Sequence, residues 1–548
     1  MKIESQGKTI YTASPISAEE AAVRLSDDKG FSWLACFANG RLIELSETLD
    51  CDSTLVPLTY SDEEGRRIYE RSLRFVFLLA AERVLPSTGV RIEFSQGYGV
   101  YGYFKSIDVS DEQLHEIERE MRSIVDANLP FTKEIWSKDE AIGYFDSLGQ
   151  KDKVQLLKYR PYRYFPIYRC GELCEYFYGA MLPSTGRLRA FSLVKEAPGF
   201  LLLSPSPLDA SKPAPFIRRE KNQRVFRESS RWCEILGCVN ASDLNAMVIS
   251  GKLRDFIRVN EALHDKQFAS VADMAVKNGS RLILMAGPSS SGKTTSANRL
   301  CIHLRVCGLR PVLISMDDFY RDRDKLPLGE NGHPDLETVE ALDLPLLSSC
   351  LERLLAGETV DMPRFDFTVG KRSPETEKMH LSPDQPIVME GIHALNPDLL
   401  KGYSGAKITR LFVSALTCLN LDDHNRIRTT DVRLMRRIVR DSRTRNTPVE
   451  ETLRMWNSVR AGEDKWIFPY QENADVFINT ALHYELPFLK RAAYPLLEAV
   501  PPASPYYVVA RRLIKTLNYF VLAPEETASE IPPISILREF IGGNTLYE

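Results

Sequence analysis

Histidine is nearly absent from the front of this chain: of eight in 548 residues, His115 is the only one before His264. That scarcity argues against an imidazole-based metal or hydrolytic centre there. The ten cysteines, at 36, 51, 170, 174, 233, 238, 301, 307, 350 and 418, are scattered without zinc-ribbon or redox spacing, which fits a reduced compartment. Long apolar runs are missing as well. The longest early one, Phe75 to Ala81, stops at Glu82-Arg83, and the N-terminal Met-Lys-Ile-Glu-Ser-Gln-Gly-Lys has no signal-peptide core, so a cytoplasmic location and no membrane partner are expected. Nor does one sign of charge dominate. Against 70 basic residues stand 74 acidic ones, a net charge of -4 that gives no general reason to expect nucleic-acid binding. No internal repeat or low-complexity tract is found.

What is present is an ordinary globular composition, 44% hydrophobic and 26% charged, long enough for several domains. Residues 1–57 alternate apolar and polar at Lys2 to Ile10 and near Trp33 to Phe37, with a hairpin turn at Asn39-Gly40 and a helix from Pro15 to Leu25: a small mixed sheet crossed by one helix. Residues 58–204 read as α+β, with helices from Glu64 to Val84 and Asp111 to Val125 around a β-rich stretch from Val90 to Ile107. Residues 205–275 begin with an exposed Pro-rich linker, Ser204 to Pro215, and continue as helices. Residues 276–500 alternate short apolar strands with helices, the pattern of a parallel sheet, whose ligands bind beyond the strands' carboxyl ends. Residues 501–548 form a C-terminal extension without a readable signal.

Gly287-Pro288-Ser289-Ser290-Ser291-Gly292-Lys293-Thr294-Thr295 follows the strand Leu282 to Ala286 and opens a helix, as a phosphate-binding P-loop does. Its glycines let backbone N–H groups turn toward phosphates, Lys293 is expected to bridge the terminal phosphates of ATP, and Thr294 to bind Mg²⁺. Asp317, at the end of the next strand, is the candidate catalytic base and a metal partner; Asp318 beside it is read as a helix cap. Glu390 ends a third strand and is a second metal candidate. The stretch from Asp431 to Arg445 carries six arginines on helical spacing, and Arg436, Arg440 and Arg445 are read as a lid that neutralises the transferring phosphoryl group. A new helix is expected at Thr447-Pro448-Val449-Glu450 through a capping box. Lys371 and Arg372 are candidates to receive a substrate phosphate.

These motifs, with Asp317-Asp-Phe-Tyr320, Pro363-Arg-Phe365-Asp-Phe367, Met389-Glu-Gly391 and Arg433-Leu-Met-Arg-Arg-Ile-Val-Arg-Asp441, occur in the order seen in the uridine kinase and phosphoribulokinase family, which the segment resembles over about 200 residues. The resemblance implies sugar contacts at Tyr320 and Asp335 and a base-framing aromatic pair at Phe365 and Phe367. Where uridine kinases carry a histidine after that pair, this chain reads Thr368-Val-Gly370-Lys371-Arg372, which keeps the acceptor open. The front of the chain resembles the first two domains of threonyl-tRNA synthetases, a TGS-like β-grasp domain and an editing-type α+β domain, through Ala38-Asn-Gly40-Arg-Leu42, Ile68-Tyr-Glu-Arg71-Ser72, Glu172-Leu-Cys174 and Pro183-Ser-Thr-Gly186. Arg71 and Phe75 stand at that fold's histidine positions. Cys174, with Cys170 one helical turn away, is read as a buried residue of a domain that has lost its hydrolytic chemistry.

The expectation is thus a multidomain chain in which an α/β P-loop kinase with a parallel sheet follows a β-grasp and an editing-like domain. It would be an ATP- and Mg²⁺-dependent nucleoside kinase acting on the 5'-hydroxyl of uridine or cytidine. A phosphoribulokinase-like sugar or sugar-phosphate kinase and an RNA-associated regulatory ATP-binding protein remain as alternatives. The partner expected is a small hydroxyl substrate, and homo-oligomerisation is left open.

Overall fold

The computed structural model describes residues 1–26, 32–328, 335–366, 369–400 and 407–547. The alternating N-terminal residues form strands Lys8–Tyr11 and Lys2–Ser5, which join Ser53–Leu58, Ala35–Ala38 and Arg41–Ile43 in one five-stranded sheet. Helix Ala18–Leu25 crosses it, started by Ser17, whose hydroxyl accepts the Glu20 N–H at 3.0 Å. Asn39 and Gly40 take φ of 49° and 79°, the left-handed pair that a two-residue hairpin demands.

In the next unit, helices Glu63–Val84 and Asp111–Asp126 pack with a four-stranded antiparallel sheet ordered Ser192–Glu196, Gly199–Leu203, Gly99–Phe104, Val90–Gln96. Leu114, Ile117, Met121 and Ile124, at helical spacing, form the buried face of the second helix. Two expectations are corrected here. Cys170 and Cys174 do not lie on a helix: they occupy the two strands of a hairpin, Tyr164–Cys170 and Leu173–Glu175, where Cys174 pairs with Arg169. Both are buried, and burial pushes the Cys170 thiol up to about 12, so they act as small apolar residues. The Pro-rich stretch is not a loose linker either. Pro205–Ser206 pairs with Asp209–Pro213, and the Tyr60 hydroxyl donates to the Pro205 carbonyl at 2.8 Å. A two-stranded ribbon tolerates proline because its outer edge needs no N–H donors.

Helices Glu220–Ile235, Ala241–Ile249 and Leu253–Asn278 lead to the predicted α/β unit. Its elements are β1 (Leu282–Ala286), α1 (Lys293–Val306), β2 (Val312–Ser315), β3 (Ile387–Glu390), β4 (Ile408–Ser414), α2 (Thr429–Thr444), α3 (Val449–Trp466) and β5 (Val476–Asn479). The sheet is wholly parallel in the order β2-β3-β1-β4-β5. Central β1 is buried on both faces: Ile283 and Met285 join one core, Leu282, Leu284 and Ala286 the other. The capping box expected before α3 does not form. Pro448 is the cap, and Thr447 lies outside the helix, its hydroxyl donating to the Arg445 carbonyl at 3.4 Å.

The C-terminal residues, silent in sequence, belong to this unit. Ile531, Ile536, Leu537 and Phe540 are buried in the same core as Ile283 and Met285. The two halves are also interlocked. A hairpin between β4 and α2, strands Asn420–Asp422 and Asn425–Arg426, enters the synthetase-like unit. There Arg91 pairs with Asp423 at 2.6 Å and Lys153 with Glu175 at 3.1 Å and Asp422 at 3.6 Å. Among the described residues no helix is long and apolar enough to cross a membrane.

Candidate active site

The P-loop turns tightly because β1 ends against β4. A Cβ at Gly287 would strike the Val413 carbonyl, while Ser290 and Gly292 take φ of 58° and 81°, which folds the loop back on itself. Among the described residues the buried hydroxyls of Ser290 and Ser291 have no hydrogen-bond partner, and Lys293 Nζ donates to the Pro288 carbonyl at 3.4 Å. Orphaned hydroxyls beside a lysine at a helix N-terminus suit an anion.

Parallel register sets the acids around this loop. Ser315 pairs with Glu390 and Met285 pairs with it from the other side, so Glu390 sits at the carboxyl edge next to the loop. Thr294 Oγ1 donates to Glu390 Oε1 at 3.2 Å, and Ser315 Oγ to the same atom at 3.4 Å. Burial, then the charge of Asp317, pushes the Glu390 carboxyl up to about 7. Burial also raises Asp317, against the opposing pull of Lys293, Arg445 and Arg440. Buried Glu390, half-buried Asp317 and the Thr294 hydroxyl meet beside Lys293, a set of oxygen donors suited to a hard cation. Thr294, Asp317 and Glu390 therefore fit Mg²⁺, which takes one or two carboxylates and fills the rest of its shell from phosphates and water. Among the described residues no three His, Cys, Asp or Glu side chains cluster as an all-protein metal site. Asp318 caps nothing: its carboxylate accepts the Phe365 N–H at 3.2 Å, and Ser315 caps the 3-10 turn Met316–Phe319.

The arginines of α2 divide into two sets. Arg440, and Arg445 just past the end of the helix, act on the charge of Asp317 while pairing with Asp441 at 2.9 Å and 3.6 Å. Arg436 does not: fully buried, it donates to Glu485 at 2.7 Å, to the Thr480 carbonyl at 2.9 Å and to the Ser290 carbonyl at 3.4 Å. Arg433 holds the Ser289 carbonyl at 2.9 Å and Arg437 the Ser289 hydroxyl at 3.0 Å. These three brace the P-loop from behind. Glu463 of α3 completes the brace, accepting the Ser289 N–H at 3.0 Å and pairing with Arg433.

On the acceptor side, Tyr320 is buried, donates to the Leu336 carbonyl at 3.1 Å and lies 5.9 Å from the Phe365 ring. Burial, then Asp317, Glu337 and Asp335, drives its phenol well above the usual range, so all three acids lie around its ring. Asp335 accepts the Glu337 N–H at 3.0 Å. Phe367 falls outside the described residues. Arg372 is not free to receive a phosphate: it pairs with Asp343 at 3.2 Å and donates to the Tyr320 carbonyl at 3.4 Å. Sequence reading missed Glu337, pushed up to about 7 by burial and by Glu463, with Arg437 and Lys293 opposing. It also missed His393, buried and pushed down to about 4. Their only sequence signals are short offsets, two residues after Asp335 and three after Glu390.

Fold and site together define a P-loop domain of the kinase type. Residues 282–485, the stretch that holds all five strands, match the Phosphoribulokinase / Uridine kinase family. The chain is also 32% identical over 200 residues to a threonine–tRNA ligase of Nitratidesulfovibrio vulgaris (strain DP4), covering 36% of this chain and 31% of that one. A second such ligase, from Carboxydothermus hydrogenoformans, is 34% identical over 184 residues, 33% of this chain and 29% of that one. The chain thus spans about three tenths of the length of the curated relatives it matches. Similar solved structures include a possible uridine kinase from Bacillus stearothermophilus (21% identity, 42% of this chain and 100% of that one, TM-score 0.26). Another is D-glycerate 3-kinase from Cryptococcus neoformans var. grubii (16% identity, 50% and 87%, TM-score 0.22).

Proposed function

We propose that the protein transfers the terminal phosphoryl group of Mg-ATP to the 5'-hydroxyl of a nucleoside, uridine or cytidine. The observation that carries this reading is Asp317, a half-buried carboxylate just beyond the sheet edge on which the charges of Lys293, Arg445 and Arg440 act. A base so placed takes the acceptor proton as the acceptor oxygen bonds to the γ-phosphorus and the bond to the bridging oxygen of ADP breaks. Lys293 holds the phosphates; Arg440 and Arg445 offset the charge on the transferring oxygens. Thr294, Asp317 and Glu390 would hold Mg²⁺, which when bound supplies charge neutralisation at the phosphate oxygens.

A nucleoside is favoured over a sugar phosphate because Arg372, which donates to the Tyr320 carbonyl, already pairs with the Asp343 carboxylate. The acceptor side is otherwise acidic and aromatic, with Tyr320, Phe365, Asp335 and Glu337, which suits hydroxyls and a flat base. ADP release with Mg-ATP against uridine, cytidine, other nucleosides, ribulose 5-phosphate and simple polyols tests the reading. Stimulation by a pyrimidine nucleoside is expected. Stimulation only by a sugar phosphate or polyol moves the assignment, and hydrolysis without any acceptor favours a regulatory ATP-binding role.

A further inference from the structure

We propose that the cavity where the N-terminal sheet domain, the synthetase-like unit and the C-terminal helix Tyr507–Leu517 meet binds a small oxyanion, a carboxylate or phosphate, held by Lys515 and Lys133 with Arg71 behind them. The site does not depend on the reading of the P-loop, and Lys515 lies beyond both the front half and the family-matched stretch 282–485.

The cavity measures about 190 Å³, more than the roughly 150 Å³ that admits a benzene-sized guest. Glu44 and Glu47 line it from the N-terminal domain, Lys133, Tyr168 and Gly179 from the synthetase-like unit, and Lys515 from the helix. Both acids are already engaged. Glu44 accepts from the Tyr168 hydroxyl and from the Met181 N–H at 3.0 Å, and Glu47 accepts from the Glu44 N–H at 3.2 Å and from Arg41 at 3.4 Å. Lys133 stands off from the two at 3.8 Å and 3.9 Å. Arg71 backs the Gly179 side. It donates to the Ala180 carbonyl, and a Cβ on Gly179 would lie 2.6 Å from its Nη2, so only glycine, here at φ of 147°, lets the guanidinium come so close.

What this cluster lacks is an acceptor. Among the described residues neither Lys515 nor Arg71 has a carboxylate at ion-pair distance. The acids acting on Arg71 from further off, Glu64 and Glu70, pair with Arg67 and Arg512 and with Arg426 and Arg428. Ala510, Leu513, Ile514 and Leu517 bury the helix in the core, so the backbone of half-buried Lys515 is fixed beside the cavity. An ammonium carries three donors and no acceptor, and leaving one unpaired out of bulk water is unfavourable. An oxyanion in the cavity supplies the acceptors through charge-assisted hydrogen bonds. Burial, then the charges of Arg160, Arg71 and Lys133, pushes the Lys515 ammonium down to about 7, with Glu44 opposing and Glu47 and Tyr168 on the same cavity wall. A bound anion favours the charged ammonium, so affinity is full below about pH 7 and falls as pH climbs above it.

The test is thermal melting of the full chain without nucleotide in rising sodium acetate or sodium phosphate, against sodium chloride at matched ionic strength. The proteins are wild type, Lys515→Met, Lys133→Met and, to silence the P-loop, Lys293→Ala. Expected is a saturable rise of Tm in wild type and Lys293→Ala, with the half-saturating concentration about tenfold higher in Lys515→Met and raised in Lys133→Met. Lys515→Met itself removes an unpaired cation and should melt no lower than wild type without ligand. Lys133 is on the surface side of the cavity, so Lys133→Met reads the site even where Lys515→Met folds poorly. The acetate effect should weaken between pH 7 and 9 in wild type and not in Lys515→Met. Response to both anions or to acetate alone assigns a site open to carboxylates, and response to phosphate alone, lost in Lys515→Met, assigns it to phosphate. Neither anion exceeding chloride, equal response in wild type and both cavity variants, or a phosphate effect lost only in Lys293→Ala each overturns the site.

Discussion

Asp317 and Glu390 illustrate how one residue's surroundings decide its chemistry. Asp317→Asn keeps the shape and the nucleotide contacts but removes the proton acceptor; turnover is expected to fall by about 10²–10⁴-fold with ATP binding retained, read by steady-state kinetics alongside nucleotide titration. Wild-type turnover in that variant would remove Asp317 as base. Glu390, held up to about 7 by burial and Asp317, makes the second prediction. A carboxyl raised in the folded state binds its proton more tightly there than in the unfolded chain. Its stabilising contribution is therefore full below the unfolded value of about 4.3 and fades as pH climbs through about 7. Metal binding needs the deprotonated form and runs the other way. Between pH 6 and 8, on the order of that transition, Mg²⁺ affinity is expected to rise while metal-free thermal stability falls. Both slopes should flatten in Glu390→Gln, and unchanged slopes in Mg²⁺ titrations and melting curves would detach Glu390 from the metal.

At the scale of elements, α2 does two jobs with one run of arginines. Arg436 is sealed between Glu485, Thr480 and the Ser290 carbonyl, so Arg436→Met leaves Glu485 buried without its partner. Loss of about 3–5 kcal/mol of stability is expected in denaturant titrations. Arg440→Ala leaves Asp441 still paired with Arg437 at 3.2 Å, so it should cost only about 1 kcal/mol of stability and lower kcat. Equal stability of the two variants would erase the distinction. The sheet was legible in sequence because its strands are short apolar runs, three of which lead into the P-loop or an acid. The helical spacing of α2 was legible too. The division of its arginines was not, since the carboxylate and carbonyls that capture Arg436 come from residues 480, 485 and 290, far away in the chain. Arg372 misled for the same reason: its partner Asp343 is 29 residues away. The C-terminal segment after Ser535 carried no periodic signal because it is one short helix, Arg538–Ile541, inside irregular chain.

For the whole molecule, the question is whether the synthetase-like half is an attachment or a support. The hairpin ahead of α2 answers structurally. Arg74 donates to the His424 carbonyl at 2.9 Å, Tyr178 to Asp422 at 2.8 Å, and Arg67 pairs with Asp431 on α2 itself at 3.0 Å. One apolar core runs from Phe145 and Phe165 through Leu244 to Val432 and Leu486. The arginines that brace the P-loop are thus hung from a helix whose entry is clamped by the front half. Lys153, 1% exposed between Glu175 and Asp422, is the clamp's central cation. Lys153→Met strands two buried carboxylates and is expected to cost about 3–5 kcal/mol. Calorimetry should give a single transition in the wild type, shifted down as a unit in the variant, with catalysis lost at the new, lower temperature. Two separate transitions, or a variant that destabilises the front half while phosphoryl transfer keeps its heat resistance, would mean that the P-loop domain stands without its neighbour.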